Sequence, residues 1–247
     1  LIVMNAHRVN SGVMPDLKTV TSDFFFLRRR TEEAVASTIG DLCRTRLPDR
    51  MGIPPEEIQV LSPTRKGPTG TASLNLLLQA QLNPPAPDKK EKKWGDFSFR
   101  EGDRVMQIRN NYDILWKKTD GTQVGTGIFN GDIGVITEID LNAELLTVVF
   151  DDRQAEYDFD MLRELELAYA MTVHKSQGSE FDAVVMPITG SKSKMHYRNL
   201  LYTAVTRAKE RLIILGQPRA IEEMVANDRK TVRYTNLKEM LLEQVIE

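Results

Sequence analysis

The chain has 247 residues, 41% hydrophobic and 28% charged, a balance that supports a buried core and excludes a disordered or fibrous protein. Thirty-three Lys plus Arg face 35 Asp plus Glu, so the formal net charge of −2 offers no overall attraction to a polyanion and leaves that to local clusters. Cys43 is the sole cysteine, which excludes an internal disulfide or a multi-cysteine zinc site and points to a reducing, cytoplasmic setting. Apolar runs such as Ala183-Val184-Val185-Met186 are too short to span a bilayer. The sequence starts at Leu1 rather than Met, without a signal-peptide pattern, so a piece of a longer polypeptide is expected.

Asp23 to Leu27 reads as a short buried strand. Thr31 is placed to cap a helix with Glu32 and Glu33 in its first turn, where the helix dipole favours carboxylates. Val35, Ile39, Leu42 and Cys43 continue that helix, and Pro48 is expected to stop it. Ile58 to Leu61 reads as a second strand, and a turn with Gly67, Pro68 and Gly70 leads to a helix whose Leu74, Leu77, Leu78 and Leu82 share a face. Residues 84–95, with Pro84-Pro85-Ala86-Pro87 and a run of charges, predict a mobile connector. From 96 to 165 short alternating runs separated by Glu101-Gly102-Asp103, Asp120-Gly121 and Asn130-Gly131-Asp132 predict a small β-barrel. Strands are then expected at Leu167 to Val173, Asp182 to Ile188 and Arg211 to Leu215, and helices at Tyr197 to Ala208, Ala220 to Ala226 and Leu237 to Val245. The predicted fold is therefore α/β: a parallel-sheet domain (1–83 and 166–247) interrupted by a β domain.

Two stretches concentrate chemistry. In Tyr169-Ala170-Met171-Thr172-Val173-His174-Lys175-Ser176-Gln177-Gly178-Ser179-Glu180 an apolar strand runs into a turn carrying hydroxyl, imidazole, amine, amide and carboxylate. The end of a parallel strand is a common ligand position, and a solvated turn fits the same composition. Taken alone, His174 reads as a hydrogen-bonded turn residue and Gly178 as a turn glycine needing positive φ. In Leu200-Leu201-Tyr202-Thr203-Ala204-Val205-Thr206-Arg207-Ala208 a helix carries an apolar stripe, off which Arg207 falls. A lone Arg there reads as a solvated face or a surface ion pair.

Together these stretches resemble motifs V and VI of superfamily 1 helicases of the RecD-like branch, which is related to the Pif1 and Dda helicases. Leu61-Ser62-Pro63-Thr64-Arg65-Lys66-Gly67-Pro68-Thr69-Gly70 resembles that branch's motif IV, and Asn5 to Gly12 resembles the helix following its motif IIIa. Arg104 to Tyr112 and Phe129-Asn130-Gly131-Asp132 resemble its inserted barrel. The resemblance implies a second RecA-like domain (a P-loop-NTPase-type parallel sheet) carrying a Src-homology-3-like barrel, in a motor that uses ATP and Mg²⁺ to walk 5′ to 3′ along single-stranded DNA. It implies Arg207 as an arginine finger, Gln177, Gly178 and Glu180 around the nucleotide, and Ser62, Thr64, Arg65, Lys66, Thr69, Asn111, Thr172 and His174 toward DNA. Backbone N–H groups where the motif IV turn enters its helix suit a phosphate.

The phosphate-binding loop G-x-x-x-x-G-K-[ST] is missing, because no Gly-Lys-Ser or Gly-Lys-Thr occurs in the sequence. Leu146 to Asp152 imitates a Walker B strand but falls within the barrel. The chain is thus expected to be the C-terminal half of a helicase, unable to hydrolyse ATP alone, with Mg²⁺ ligands elsewhere and no metal site of its own. Its expected partners are single-stranded DNA and an N-terminal RecA-like domain of the same polypeptide, with RecB/RecC-like subunits left open. A non-enzymatic nucleic-acid-binding or scaffold module and the helicase part of a conjugative relaxase are the competing readings. Asp113 to Gly127 departs from the family pattern and predicts an extended hairpin, whose Trp116 either stacks on a base or packs at the barrel edge.

Overall fold

The computed structural model describes residues 1–19, 23–190 and 195–228; the helix expected at Leu237 to Val245 lies outside them. The chain opens with α1 (Ile2–Asn10), β1 (Phe24–Arg28) and α2 (Glu32–Asp41). Thr31 caps α2 as its sequence position predicts, its hydroxyl accepting from Ala34 N–H at 3.2 Å. Pro48 does not end the helix. A wide π turn, Leu42–Arg46, passes directly into α3 (Leu47–Met51), with Leu47 N–H bonded five residues back to the Leu42 carbonyl. The wider turn relieves the clash that a proline ring makes with the carbonyl four residues before it. The helix ends instead at Gly52, whose φ of 66° is the left-handed cap conformation.

β2 (Ile58–Ser62) and α4 (Thr71–Leu82) follow. Residues 91–94, which the sequence places in a mobile connector, form β3 (Glu91–Trp94), an antiparallel hairpin arm with β4 (Phe97–Arg100). The arm is held down because Trp94 packs on the core and the Lys92 ammonium lies 3.9 Å from the centroid of the Phe159 ring. Next come β5 (Arg104–Gln107), β6 (Asn111–Lys118), β7 (Val124–Ile128), β8 (Ile133–Asp140), β9 (Leu145–Phe150), β10 (Arg153–Asp158) and β11 (Leu165–Leu167). These make a seven-stranded antiparallel sheet in the order β11-β5-β8-β9-β10-β6-β7. β6 and β7 are the extended hairpin, turning near Gly121 at φ 72°.

β12 (Ala170–Thr172), β13 (Phe181–Ile188), α5 (Arg198–Val205), β14 (Ala208–Gly216) and α6 (Pro218–Ala226) complete the described chain. The single strand expected at Leu167 to Val173 is divided: Leu167 pairs with Val105 in the barrel sheet, whereas Ala170 to Thr172 pair with Val60 to Ser62. The second sheet, β1-β14-β13-β2-β12, is wholly parallel. Alternate residues of its strands face opposite layers, as period-2 geometry requires. Ala183, Val185, Ile213 and Leu215 join a core with α2, α3 and α4, and Val184, Met186, Leu212 and Ile214 join one with α1, α5 and α6.

The first of these cores continues without a break into the barrel interior through Phe99, Val105, Tyr157 and Tyr169. A buried carboxylate fixes that junction. Asp103 is fully buried and accepts from Gln79 Nε2 (2.6 Å), Asn83 Nδ2 (2.7 Å), Arg100 N–H (2.7 Å) and Tyr169 Oη (3.0 Å). Burial pushes its pKa up, opposed by bonds from Asn83, Gln79, Arg100 and Tyr169. Its donors come from α4 and its C-cap, from the end of β4 and from the chain returning to the parallel sheet. Asp103→Ala removes all four bonds, although Gln79 and Asn83 keep the Ser98 and Glu101 carbonyls, and should cost at least about 3 kcal/mol in urea denaturation, whereas Tyr169→Phe, which removes one neutral donor, should cost about 1 kcal/mol for its hydrogen bond.

Candidate nucleic-acid and nucleotide interfaces

A parallel sheet has two unlike edges, and the candidate residues divide between them. Thr172 stands opposite Ser62 where β12 and β2 end. Glu180 and Arg207 stand just before β13 and β14 begin. The turn 173–180 and helix α5 join one edge to the other.

At the edge where the strands end, the motif IV turn is braced from within. Ser62 is fully buried; its hydroxyl donates to the Thr69 carbonyl at 2.7 Å and accepts from Thr64 N–H at 3.2 Å. Thr69 is buried too, its hydroxyl 2.8 Å from that of Thr189. Both hydroxyls are therefore spent on holding the turn, a structural use that their reading as DNA contacts did not include. The helix start is also closed: Thr71 N–H and Ala72 N–H bond to the carbonyls of Thr64 (3.0 Å) and Arg65 (3.2 Å), which removes two of the donors expected to meet a phosphate. Arg65 and Lys66 are exposed and Thr64 half-exposed.

Beside them lies an ion triad with no place in the sequence reading. Glu166, on β11, receives Arg65 Nη2 at 2.9 Å on one oxygen and Lys175 Nζ at 2.7 Å on the other. Burial raises the Glu166 pKa, but the Lys175 bond and the charges of Lys175 and Arg65 outweigh it and hold the carboxyl below the usual glutamate range. Its one cue in the sequence is a carboxylate between two leucines at a point that otherwise reads as buried strand. Thr172 is half-buried and His174 exposed, with His174 Nε2 2.9 Å from Tyr197 Oη.

Along the turn that leads to the opposite edge, Gln177, Gly178 and Glu180 are exposed; Gln177 N–H bonds to the His174 carbonyl at 3.3 Å, Gly178 has φ 91°, and Glu180 stands where β13 begins. Arg207 is half-buried and anchored by three neutral oxygens: Nε donates to the Thr203 carbonyl (3.2 Å), Nη1 to the Ser179 carbonyl (3.0 Å) and Nη2 to the Thr206 hydroxyl (3.2 Å). No carboxylate among the described residues pairs with it. Its side chain is thus oriented while no carboxylate among the described residues compensates its charge.

The barrel holds the last candidate. Asn111 donates to Glu164 Oε2 at 3.0 Å and accepts from Asp113 N–H and Ile114 N–H, both at 3.1 Å. Its amide thus shapes the entry of β6, a structural use that its reading as a DNA contact did not include. Trp116 packs on the core across Gly125, where a Cβ would collide with the indole, so the barrel-edge reading is the one observed. Tyr112 and Phe129, at 65% and 40% exposure, meet edge to face with ring centroids 5.5 Å apart.

Residues 74–150 match the family described as "ATP-dependent RecD-like DNA helicase SH3 domain", and residues 167–215 match "UvrD-like helicase C-terminal domain". The chain is 36% identical over 187 residues to the ATP-dependent RecD2 DNA helicase of Deinococcus radiodurans, covering 76% of this chain and 24% of that protein. It is 31% identical to the RecBCD enzyme subunit RecD of Mycolicibacterium smegmatis, covering 75% of this chain and 29% of that one. A solved structure of Pif1 helicase from Candida albicans is similar at 14% identity and a TM-score of 0.49, covering 100% of this chain and 58% of that one. The parallel sheet with its inserted barrel is thus the C-terminal region of a superfamily 1 DNA helicase. Within that class the chain belongs to the RecD-like family, as the order of motifs IV, V and VI implies. It spans about a quarter of the length of these two curated relatives. Among the described residues no helix is long and apolar enough to cross a membrane.

Because the folded pKa of Glu166 lies below its unfolded value, the triad stabilises the fold above the unfolded pKa and loses that effect as pH falls through the folded one. The stability difference between wild type and Glu166→Gln, from urea denaturation, should be full at neutral pH. It should shrink as pH drops below the ordinary glutamate value of 4.5, and a pH-independent difference would contradict the assignment.

Proposed function

We propose that this chain is the C-terminal motor half of an ATP-dependent 5′–3′ DNA helicase, with residues 1–83 and 166–247 as its second RecA-like domain, 84–90 as connector, and the barrel with its β3–β4 arm between them. The observation that carries the proposal is Arg207, oriented by neutral oxygens and free of any carboxylate among the described residues, at the edge opposite the exposed cations of motif IV. A guanidinium so placed stabilises charge developing on a γ-phosphate as it leaves, and its neutral anchors take none of that charge away. Glu180, next to the start of β13, and Gln177 and Gly178 in the turn before it would bound the nucleotide.

The loop holding the phosphates comes from outside these 247 residues, which contain no Gly-Lys-Ser or Gly-Lys-Thr, so the chain by itself does not turn over ATP. Mg²⁺ would be bound with the phosphates by that other RecA-like domain. The Deinococcus relative is named an ATP-dependent helicase, which supports ATP as the fuel. Other relatives are named as RecBCD subunits, so RecB- and RecC-like partners fit the same motor. Thr64, Arg65, Lys66, Thr172 and His174 form the DNA side, a set of hydroxyls, cations and an imidazole that grips phosphates without reading bases, as a translocating motor requires.

Arg207→Ala in the intact protein should lower single-strand-dependent ATP turnover by about 10³ or more while leaving the Kd for single-stranded DNA within about threefold. Turnover near the wild-type rate would remove Arg207 from the chemistry. Lys66→Ala should reduce the slope of log affinity against log salt by about 0.7, the counterion release expected for one phosphate of a single strand.

A further inference from the structure

The turn 173–180 and helix α5 run between the same two edges of the sheet, and the structure ties them together at both ends. At the DNA edge, Tyr197, the residue preceding α5, bonds through its hydroxyl to His174 at 2.9 Å. At the nucleotide edge, Arg207 Nη1 donates to the Ser179 carbonyl at 3.0 Å, and Phe181 N–H donates to the Arg207 carbonyl at 2.9 Å. Between the ties both segments pack on a common core. Ser176 is fully buried with its hydroxyl bonded to the Val173 carbonyl at 2.8 Å, and Val173 shares one core with Leu200, Leu201, Ala204 and Val205 of α5.

We propose that Tyr197 is a positioning residue that couples strand engagement to ATP turnover, by joining His174 on the DNA side to the helix that delivers Arg207 to the nucleotide. This rests on the helicase reading given under Proposed function. His174 is exposed and its ring is anchored to Tyr197, so a phosphate or base that moves the imidazole acts on the start of α5. Packed α5 transmits a shift as a unit, because a close-packed core offers few intermediate arrangements. The far end of that unit is the Thr203 carbonyl and Thr206 hydroxyl, two of the three oxygens that hold the Arg207 guanidinium. Arg198 secures the helix start from the other side, donating to the Val225 carbonyl at 2.7 Å and pairing with Asp228 at 3.3 Å. Beside the packing of Val173 on α5, the tyrosine hydroxyl is therefore the hydrogen-bonded contact between His174 and the start of that helix.

Tyr197→Phe removes that hydroxyl and keeps the ring. In the intact protein, ATP turnover would be measured with and without an oligothymidylate single strand, together with the Kd for that strand. The expected result is unchanged DNA-independent turnover, a Kd within about twofold, and a DNA-stimulated increment lowered about three- to tenfold, the range a lost neutral hydrogen bond supports. In a His174→Ala background, Tyr197→Phe should have no additional effect, since the hydroxyl acts through the imidazole. Full stimulation in Tyr197→Phe, or an equal loss with and without DNA, would overturn the coupling role and leave the helicase reading standing. A wild-type protein whose ATP turnover ignores single-stranded DNA would overturn both.

Discussion

Parallel strand pairing is the constraint on which the rest of this molecule depends. With every strand of β1-β14-β13-β2-β12 running the same way, all strand ends collect at one edge and all beginnings at the other. Each return must then cross a face of the sheet, so that a crossing segment reaches both edges. The turn 173–180 leaves Thr172 and His174 at one edge and brings Glu180 to the other. Helix α5 starts beside Tyr197 and leads into Arg207. Two surfaces at opposite edges of the sheet, yet linked by continuous chain, follow from topology before any side chain is considered.

The side chains then decide which positions remain available. Ser62, Thr69 and Asn111 are polar residues within helicase motifs, but their hydrogen bonds close inward and stabilise the turns that carry them. Arg207 differs because its three partners are neutral oxygens, which orient a cation without cancelling it. Arg65 and Lys175 are intermediate: both share Glu166, so a phosphate arriving there competes with a carboxylate already in place. The barrel is held by the same logic at a deeper level. Asp103 gathers donors from helix, hairpin and returning strand into one buried site, and an apolar core runs through that junction.

Local physics was legible in the sequence and long-range pairing was not. Thr31 as a helix cap, Asp120-Gly121 as a hairpin turn and Gly178 in a positive-φ turn depend on a few adjacent residues, and all three are observed. The motif order likewise identified the α/β layer and its β insert. Pro48 misled because a π turn upstream accommodates a proline within a continuing helix, an outcome set by packing rather than by the proline. The 84–95 stretch reads as connector by composition, yet Trp94 and Lys92 find partners on the barrel more than 50 residues on, or in the core. Asp103 looks like an ordinary turn acid beside Gly102, and nothing near it in sequence reveals that Gln79, Asn83 and Tyr169 converge on it. Tyr197 and Glu166 escaped notice for the same reason, since their partners lie in other segments.

The central claim is that strand and nucleotide act at opposite edges of one sheet. Amide hydrogen exchange of the intact protein tests it most directly, comparing the free protein with its complexes with a single-stranded oligonucleotide and with a non-hydrolysable ATP analogue. The account predicts that the oligonucleotide protects residues 64–66 and 172–175, and that the analogue protects 177–180 and 203–207. Protection by the oligonucleotide confined to 177–180 and 203–207, with 64–66 and 172–175 exchanging as in the free protein, would contradict it.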